Sequence, residues 1–545
     1  MKTTYKIAIA ALAAGIAVSV RAQSKEVIQI QYTDGITDYI PMEDVQRISF
    51  AEGVDTESDL YAQVNAAFDG LKAYMTIAEG HCDFGYPALM LGMDSQTEDL
   101  ITPYTGYNWF RPWSSYIFRC NSYPAYMMWA LMYMRIAEAN KIIDTFQATE
   151  DADKLLLAQA HALRSWAYWN LVQTYATNYY YGQNDPGVVI LTGNQITGEF
   201  PLSTVAEVYD LIMNDINLAI GYLEDNAMAP AHIDAAVSKR YVDLAVAYGL
   251  RARYNLTMHN YGEAAVDARL AIEKSSARPL QLAPAAYPGF NDAKLGNWMW
   301  AITIEPTDRV VTTRIVNFTS HMCSLFDNGY TSVGAVRCCG DSLHRYLERQ
   351  GADVRLYWFT DENGNNDHLT KAQQKVVRNS YENSGFNYIN VKYDNYQCKI
   401  INPVPAADVP LMRIEEMYLI RAEGLAMSGD IAGARQILTD LVRTYRNPAY
   451  ECACFDAQSL QNEIIWQRRA ELWGEGLVLF DKLRLRLDLD RYGDRNCNSA
   501  EQFRIRGTSK FMHYAYPKMR YVQIQGFDYD SQCTDTPAAG EAWNE

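Results

Sequence analysis

Four constellations in this chain carry residue types that could do chemistry. Gly340-Asp341-Ser342-Leu343 spells the block that names one class of serine esterases. Such a serine needs its base from a separate Asp-x-x-His late in the chain. The only Asp-x-x-His here, Asp341-Ser342-Leu343-His344, overlaps the block itself, so one short segment would have to supply both nucleophile and base. Capping of a helix running from Leu343 to Arg349 by Asp341 and Ser342 is the simpler role. Asp361, Asn363, Asn365 and Asp367 alternate as oxygen donors, but Gly364 falls at the fourth position of a calcium loop and Ala372 at the twelfth, where Gly at the sixth and Glu are needed. A solvated turn accounts for them. Glu471 and Glu475 stand four apart and predict two carboxylates on one helix face. A glycosidase draws its pair from separate elements across the sugar, so the nearby Arg468, Arg469 and Lys482 point to a surface ion-pair ladder instead. Ten cysteines show no zinc-site spacing, which leaves buried thiols or disulfides and no metal. Neither a phosphate-cradling glycine loop nor His-Glu-x-x-His occurs, and no cofactor is implied.

The fourth constellation is a loop. Residues 103–113 hold five aromatics in eleven positions, with Gly106, Pro103 and Pro112 forbidding a long helix. Either this segment folds back onto the helices, or its rings form a platform for a ligand. A sugar ring has one apolar C–H face and a rim of hydroxyls. Tyr104, Tyr107, Trp109 and Trp113 could stack beneath it while Asn108 or Arg111 bonds the rim. Such shallow sites bind weakly, with Kd on the order of 0.1–1 mM, or roughly −4 to −5.5 kcal/mol.

The elements that must position these residues follow from composition and periodicity. The 545 residues are 49% hydrophobic and 21% charged, enough for a large core. Lys and Arg number 48 against 65 Asp and Glu, a net charge of −17, and such an acidic surface excludes a nucleic-acid partner. Lys2 and Lys6, the uncharged run Ile7–Val20 and Val20-Arg21-Ala22 predict a secretory signal peptide over residues 1–22. Residues 23–53 form a small β prelude and linker: Val27 to Tyr32, a turn at Thr33-Asp34-Gly35, a second strand through Ile40, and a third stretch at Gln46–Phe50. From residue 54 to 545 the pattern is that of one mainly α domain. Leu60, Val64, Phe68 and Leu71 share a helix face, as do Trp129, Tyr133, Ile136 and Asn140, and Leu156, Ala160, Leu163, Ala167 and Leu171. Thr204 and Glu207 form a capping box ahead of Val208, Leu211, Ile212, Asp215 and Ile216. A shift of 170 residues matches Tyr248 to Tyr418, Arg251 to Arg421, Ala252 to Ala422 and Ala264 to Ala434. Turns at Asn260-Tyr261 and Asp430-Ile431 complete two tetratricopeptide-like helical hairpins, which the helices at 129–176 and 203–223 extend into a stack. Between helices lie the long loops 94–124, 280–340 and 360–410.

Several blocks, taken in order, resemble the SusD/RagB family of the Bacteroidota outer membrane. They are Trp129-x3-Tyr133-x2-Ile136-x3-Asn140, Ala160-His161-Ala162-Leu163-Arg164-Ser165-Trp166-Ala167-Tyr168, Val208-Tyr209 with Asp215 and Ala219, Pro410 to Ile420, and Arg468-Arg469-Ala470-Glu471-Leu472-x2-Glu475-Gly476 running to Phe480-Asp481. Asp353-Val354-Arg355 and Val391-Lys392-Tyr393 are further landmarks. The resemblance implies tetratricopeptide-like hairpins supporting an irregular, loop-rich half. It also implies a surface-exposed outer-membrane protein that binds an oligosaccharide or other nutrient, without catalysis, and passes it to a SusC-like TonB-dependent transporter. Family members carry Cys directly after the signal peptide, whereas Gln23 follows Ala22 here and the first cysteine is Cys82. The rivals from other classes are a secreted glycoside hydrolase on an α-helical frame and a helical-repeat scaffold that binds protein alone.

Overall fold

A computed structural model of the chain describes residues 17–18, 27–31, 37–41, 56–102, 107–224, 226, 239–325, 329–395, 405–532 and 535–545. The chain forms two compact units, 1–59 and 60–545. In the first, β1 (Ala17–Val18), β2 (Val27–Gln31) and β3 (Thr37–Pro41) make an antiparallel sheet in the order β1-β2-β3, with Ile28 opposite Ile40. Most of the signal-peptide segment, the turn at Thr33-Asp34-Gly35 and the stretch Gln46–Phe50 lie outside the described residues.

The second unit is built on helices whose apolar faces match the sequence periodicity. Its main ones are α1 (Thr56–Asp69), α2 (Tyr86–Asp94), α3 (Tyr123–Thr145), α4 (Asp151–Tyr175), α5 (Val205–Leu223), α6 (Leu244–Thr257), α7 (Tyr261–Lys274), α8 (Ile414–Met427), α9 (Ile431–Tyr445), α10 (Ala457–Glu471) and α11 (Val478–Leu485). Val64 and Phe68 of α1 are buried, as is Leu71 just beyond it. On α3, Trp129, Tyr133, Ile136 and Asn140 all face the core, and Asn140 donates to the carbonyls of Leu191 (3.2 Å) and Gly193 (2.7 Å). The helix α4 is buried on almost every side, which is why its periodicity is blurred by small residues. The capping box is in place: Glu207 N donates to Thr204 Oγ1 (3.3 Å) and Thr204 N to Glu207 Oε2 (2.8 Å). Asp215, buried on α5, accepts from Arg164 Nε (2.7 Å) and faces His161 Nδ1 (2.7 Å), which ties α5 to α4.

Each helix packs on the next, α3 on α4, α4 on α5, and so on through α8, which also carries α9 and α10. The two predicted hairpins are α6–α7 and α8–α9, and their helices start 170 residues apart. Ala252, Ala264, Ala268 and Ala271 of the first, and Ala422, Ala434 and Leu438 of the second, are fully buried between their helices. Where α8 crosses α7 there is room for glycine alone, since a Cβ on Gly424 would lie 2.5 Å from the carbonyl oxygen of Tyr261. The chain leaves this frame after α7 and returns at α8. Residues 275–413 form most of the loop-rich half, returning through the antiparallel pair β4 (Trp298–Ile302) and β5 (Val409–Arg413).

The blocks scattered along the sequence meet in one buried ion network behind α10. Glu471 is the last residue of α10, and Gly474 and Gly476, at φ +80° and +73°, turn the chain so that Glu475 is not helical. The surface ladder expected for this pair is therefore corrected: both carboxylates are buried, and Arg468, Arg469 and Lys482 pair elsewhere, with Asp481, Asp99 and Glu98. Glu471 accepts from Arg413 Nη1 (2.8 Å) and Arg446 Nε (2.8 Å). Glu475 accepts from Lys392 Nζ (2.8 Å) and Arg413 Nη2 (2.8 Å). Arg355 pairs with Asp353 (2.6 Å), and Arg446 with Glu415 (2.7 Å). Burial opposes ionisation of Glu471, but Arg446, Arg413 and Arg355 outweigh it and hold the carboxyl well below the carboxylate range. Burial pushes the Lys392 ammonium down to about 8 against the pull of Glu475. Four cations face four carboxylates, all inside the protein, an arrangement that holds strands and helices together rather than one that acts on a substrate.

Candidate functional site

The aromatic segment divides on folding. Tyr104 lies outside the described residues. Asn108 is buried and ties the loop to itself: its Nδ2 donates to Thr102 Oγ1 (3.1 Å) and its Oδ1 accepts from Phe110 N (3.1 Å). It therefore builds the loop rather than facing a ligand. Trp113 sits in the short helix Arg111–Ser114 at 0% exposure, its ring 5.3 Å from that of the equally buried Phe110 and tilted 35° to it. Gly92 of α2 makes room for that indole, since a Cβ there would lie 2.6 Å from its Nε1. Trp113 thus belongs to the core and not to a platform. Tyr107 (56% exposed), the half-buried Trp109 and the exposed Arg111 remain at the surface.

Trp109 is laid on His81, ring centroids 4.7 Å apart and planes 26° from parallel. His81 comes from the turn before α2, which Asp83 clamps by accepting from Ile77 N (2.7 Å) and Ala78 N (2.8 Å). Its Nδ1 meets the hydroxyl of Tyr330, and its carbonyl faces Nε2 of His321 (3.0 Å). His321, from the short helix Phe318–Met322, lies between Tyr330 (4.4 Å, 13°) and Phe84 (5.3 Å, 17°). Burial holds His81 below its ordinary range, and burial followed by the Arg337 guanidinium holds His321 well below it. Both rings are neutral near pH 7, so the stack carries no charge. A flat, uncharged indole is thereby fixed from beneath by chain segments far apart in sequence. The sequence singles out Trp109 and Tyr107 but not His81 and Tyr330, which underlie Trp109 and which no local spacing connects.

The other constellations carry no reactive arrangement. The helix over the esterase block is Asp341–Arg349, capped by Gly340 and without a side-chain cap, so the capping role expected for Asp341 and Ser342 is corrected. Asp341 instead accepts from Arg495 (3.1 Å). His344 is buried face to face with Tyr388, centroids 3.6 Å apart. Burial, with Arg495 adding and Asp341 opposing, pushes its imidazole down to about 4. An unfolded histidine titrates near ~6.5. Between those values the unfolded chain takes up a proton that the folded chain refuses, so stability is lost as pH falls through the window. His344→Gln is expected to remove about 1–2 kcal/mol of that loss, read as a smaller shift of the urea midpoint on acidification. Equal shifts in both proteins would place the acid sensitivity elsewhere.

Asp361 Oδ1 accepts from the backbone of Asn363 and Asn365 (2.8 Å each) in an exposed turn, as expected for a solvated loop. Among the described residues no cluster of three or more potential ligands could hold a metal, Cys82, Cys120, Cys323, Cys338, Cys339, Cys452, Cys454 and Cys497 are unpaired, and no helix is long and apolar enough to cross a membrane.

Residues 93–245 match a family model described as SusD-like, starch-binding associating with outer membrane, and residues 320–534 match the model of the SusD family. The chain belongs to the SusD/RagB family. Carbohydrate binding is the character of that family. The fold is shared with solved members. A SusD-like carbohydrate binding protein from Bacteroides vulgatus is 21% identical with a TM-score of 0.65, over 79% of this chain and 84% of its own. A SusD superfamily protein from Bacteroides thetaiotaomicron is 18% identical with a TM-score of 0.64, over 84% and 96%. Surface glycan-binding protein A from Bacteroides fluxus is 16% identical with a TM-score of 0.57, over 79% and 89%. No curated protein matches the sequence. The mainly α, tetratricopeptide-like architecture expected from the sequence is the one found.

Proposed function

We propose that this SusD-family protein captures a neutral oligosaccharide at the outer surface of the outer membrane and passes it to a SusC-like TonB-dependent transporter, without chemistry of its own. The observation that carries the reading is the Trp109 indole, laid on His81, which Tyr330 holds in turn, two residues after the exposed Tyr107. Such a surface suits the apolar face of a pyranose, and the exposed Arg111, two residues on in the chain, is the candidate for the hydroxyl rim. Because the stacked histidines are neutral and the chain is acidic, with a net charge of −17, an uncharged glycan is favoured over an anionic one. Calorimetric titration against gluco-, xylo-, manno- and galacto-oligosaccharides tests it. At least one is expected to bind with Kd on the order of 0.1–1 mM and to be recovered intact. Release of shorter sugars would support the hydrolase instead, and silence across the whole set would remove the glycan reading.

A further inference from the structure

A cleft of about 810 Å³ lies elsewhere, between the first helical hairpin, α10 and the turn after α11. It shares no residue with the Trp109 surface. The position that opens the α6–α7 turn is Gly429 in the second hairpin, at φ +96°, and His259 in the first, at φ +63°. A non-glycine residue there is strained, so something must hold it. The imidazole lies between Tyr180 (4.3 Å, 28°) and Tyr261 (5.2 Å, 26°), and its Nε2 donates to the Arg484 carbonyl (2.8 Å). Burial keeps it below its ordinary range and therefore neutral. The outermost ring of this stack, Tyr180, is 58% exposed and is braced edge-on by Tyr181 at 5.0 Å.

The charged groups around the cleft are already matched inside the protein. Glu98 takes Lys482 (2.7 Å) and Arg469 (2.9 Å), and Asp488 takes Arg506 (2.7 Å). What lies exposed along the α10 wall is uncharged. Gln458 and Asn462 lie exposed one turn apart on α10, joined by a single bond from Gln458 Nε2 to Asn462 Oδ1 (3.1 Å). At the buried end, Glu98 Oε2 has no hydrogen-bond donor. A stacked ring platform, amides along one wall and a balanced charge are the chemistry of a neutral polyol or sugar chain.

We propose that this cleft is a second saccharide site, with the outer face of Tyr180 taking a sugar ring and Gln458 and Asn462 bonding its hydroxyls. The proposal shares with the function above only its class of ligand. The test is calorimetry of the full chain with malto-, cello-, xylo- and mannohexaose. Two sites per chain are expected for the sugar that binds, with Trp109→Ala leaving the second intact and Tyr180→Ala weakening it at least tenfold. His259→Gly should relieve the left-handed strain, keep the fold and give the same loss as Tyr180→Ala, which a merely structural role for His259 would not. Binding that depends on Trp109 alone overturns this site and keeps the proposed function. Binding that depends on Tyr180 alone does the reverse, and no binding at all overturns both.

Discussion

Arg413→Ala is expected to lower the unfolding free energy by about 3–5 kcal/mol, because it leaves the buried network one positive charge short, with Glu471 held by Arg446 and Glu475 by Lys392 alone. The side chain is fully buried at the end of β5, where one guanidinium reaches Glu471 and Glu475 together (2.8 Å each) and also lies 3.2 Å from Glu415. Removing it turns four cations against four carboxylates into three against four, in a buried region where charge is weakly screened. Arg413→Lys should recover only part of the loss, since an ammonium cannot bridge both glutamates with the geometry of a planar fork. Urea unfolding monitored by far-UV circular dichroism measures it. A change under about 1 kcal/mol would mean that solvent or neighbouring residues relieve the uncovered charge.

Trp109→Ala is expected to weaken saccharide binding by about 1–3 kcal/mol, five- to more than a hundredfold in Kd, with little change in melting. The indole is half-buried and rests on another side chain, so truncation removes a ligand-facing surface more than it opens a cavity. Trp113→Ala is the contrasting control. It empties a fully buried site beside Gly92 and Phe110 and should cost about 3–5 kcal/mol of stability. If Trp109→Ala melted like Trp113→Ala, the ring would belong to the core and the platform would be lost with it.

The two tryptophans show where sequence reading stops. Both lie in one proline-bounded loop and look alike there, yet which of them is covered depends on Gly92 of another helix and on His81 of another turn. The helices were legible because their burial has a period, as in Trp129, Tyr133 and Ile136, and the hairpins because they repeat at a fixed offset. Glu471 and Glu475 misled for the opposite reason. A spacing of four promises one helix face only while the helix lasts, and this one ends at Glu471 with Gly474 close behind. The partners that bury the pair, Arg413 and Arg446, lie 58 and 25 residues from Glu471. His81 and Tyr330 are 249 residues apart, and only the folded chain brings them together.

The departure of the chain from its frame at residue 275 and its return at 413 has an evolutionary consequence. Its two ends are pinned by α7 and α8, which pack on each other. Lengthening such an excursion is cheap, about 0.6 kcal/mol for each doubling of a flexible loop. Insertions there leave the contacts between the two hairpins untouched, so the excursion can change length while the helical frame is kept.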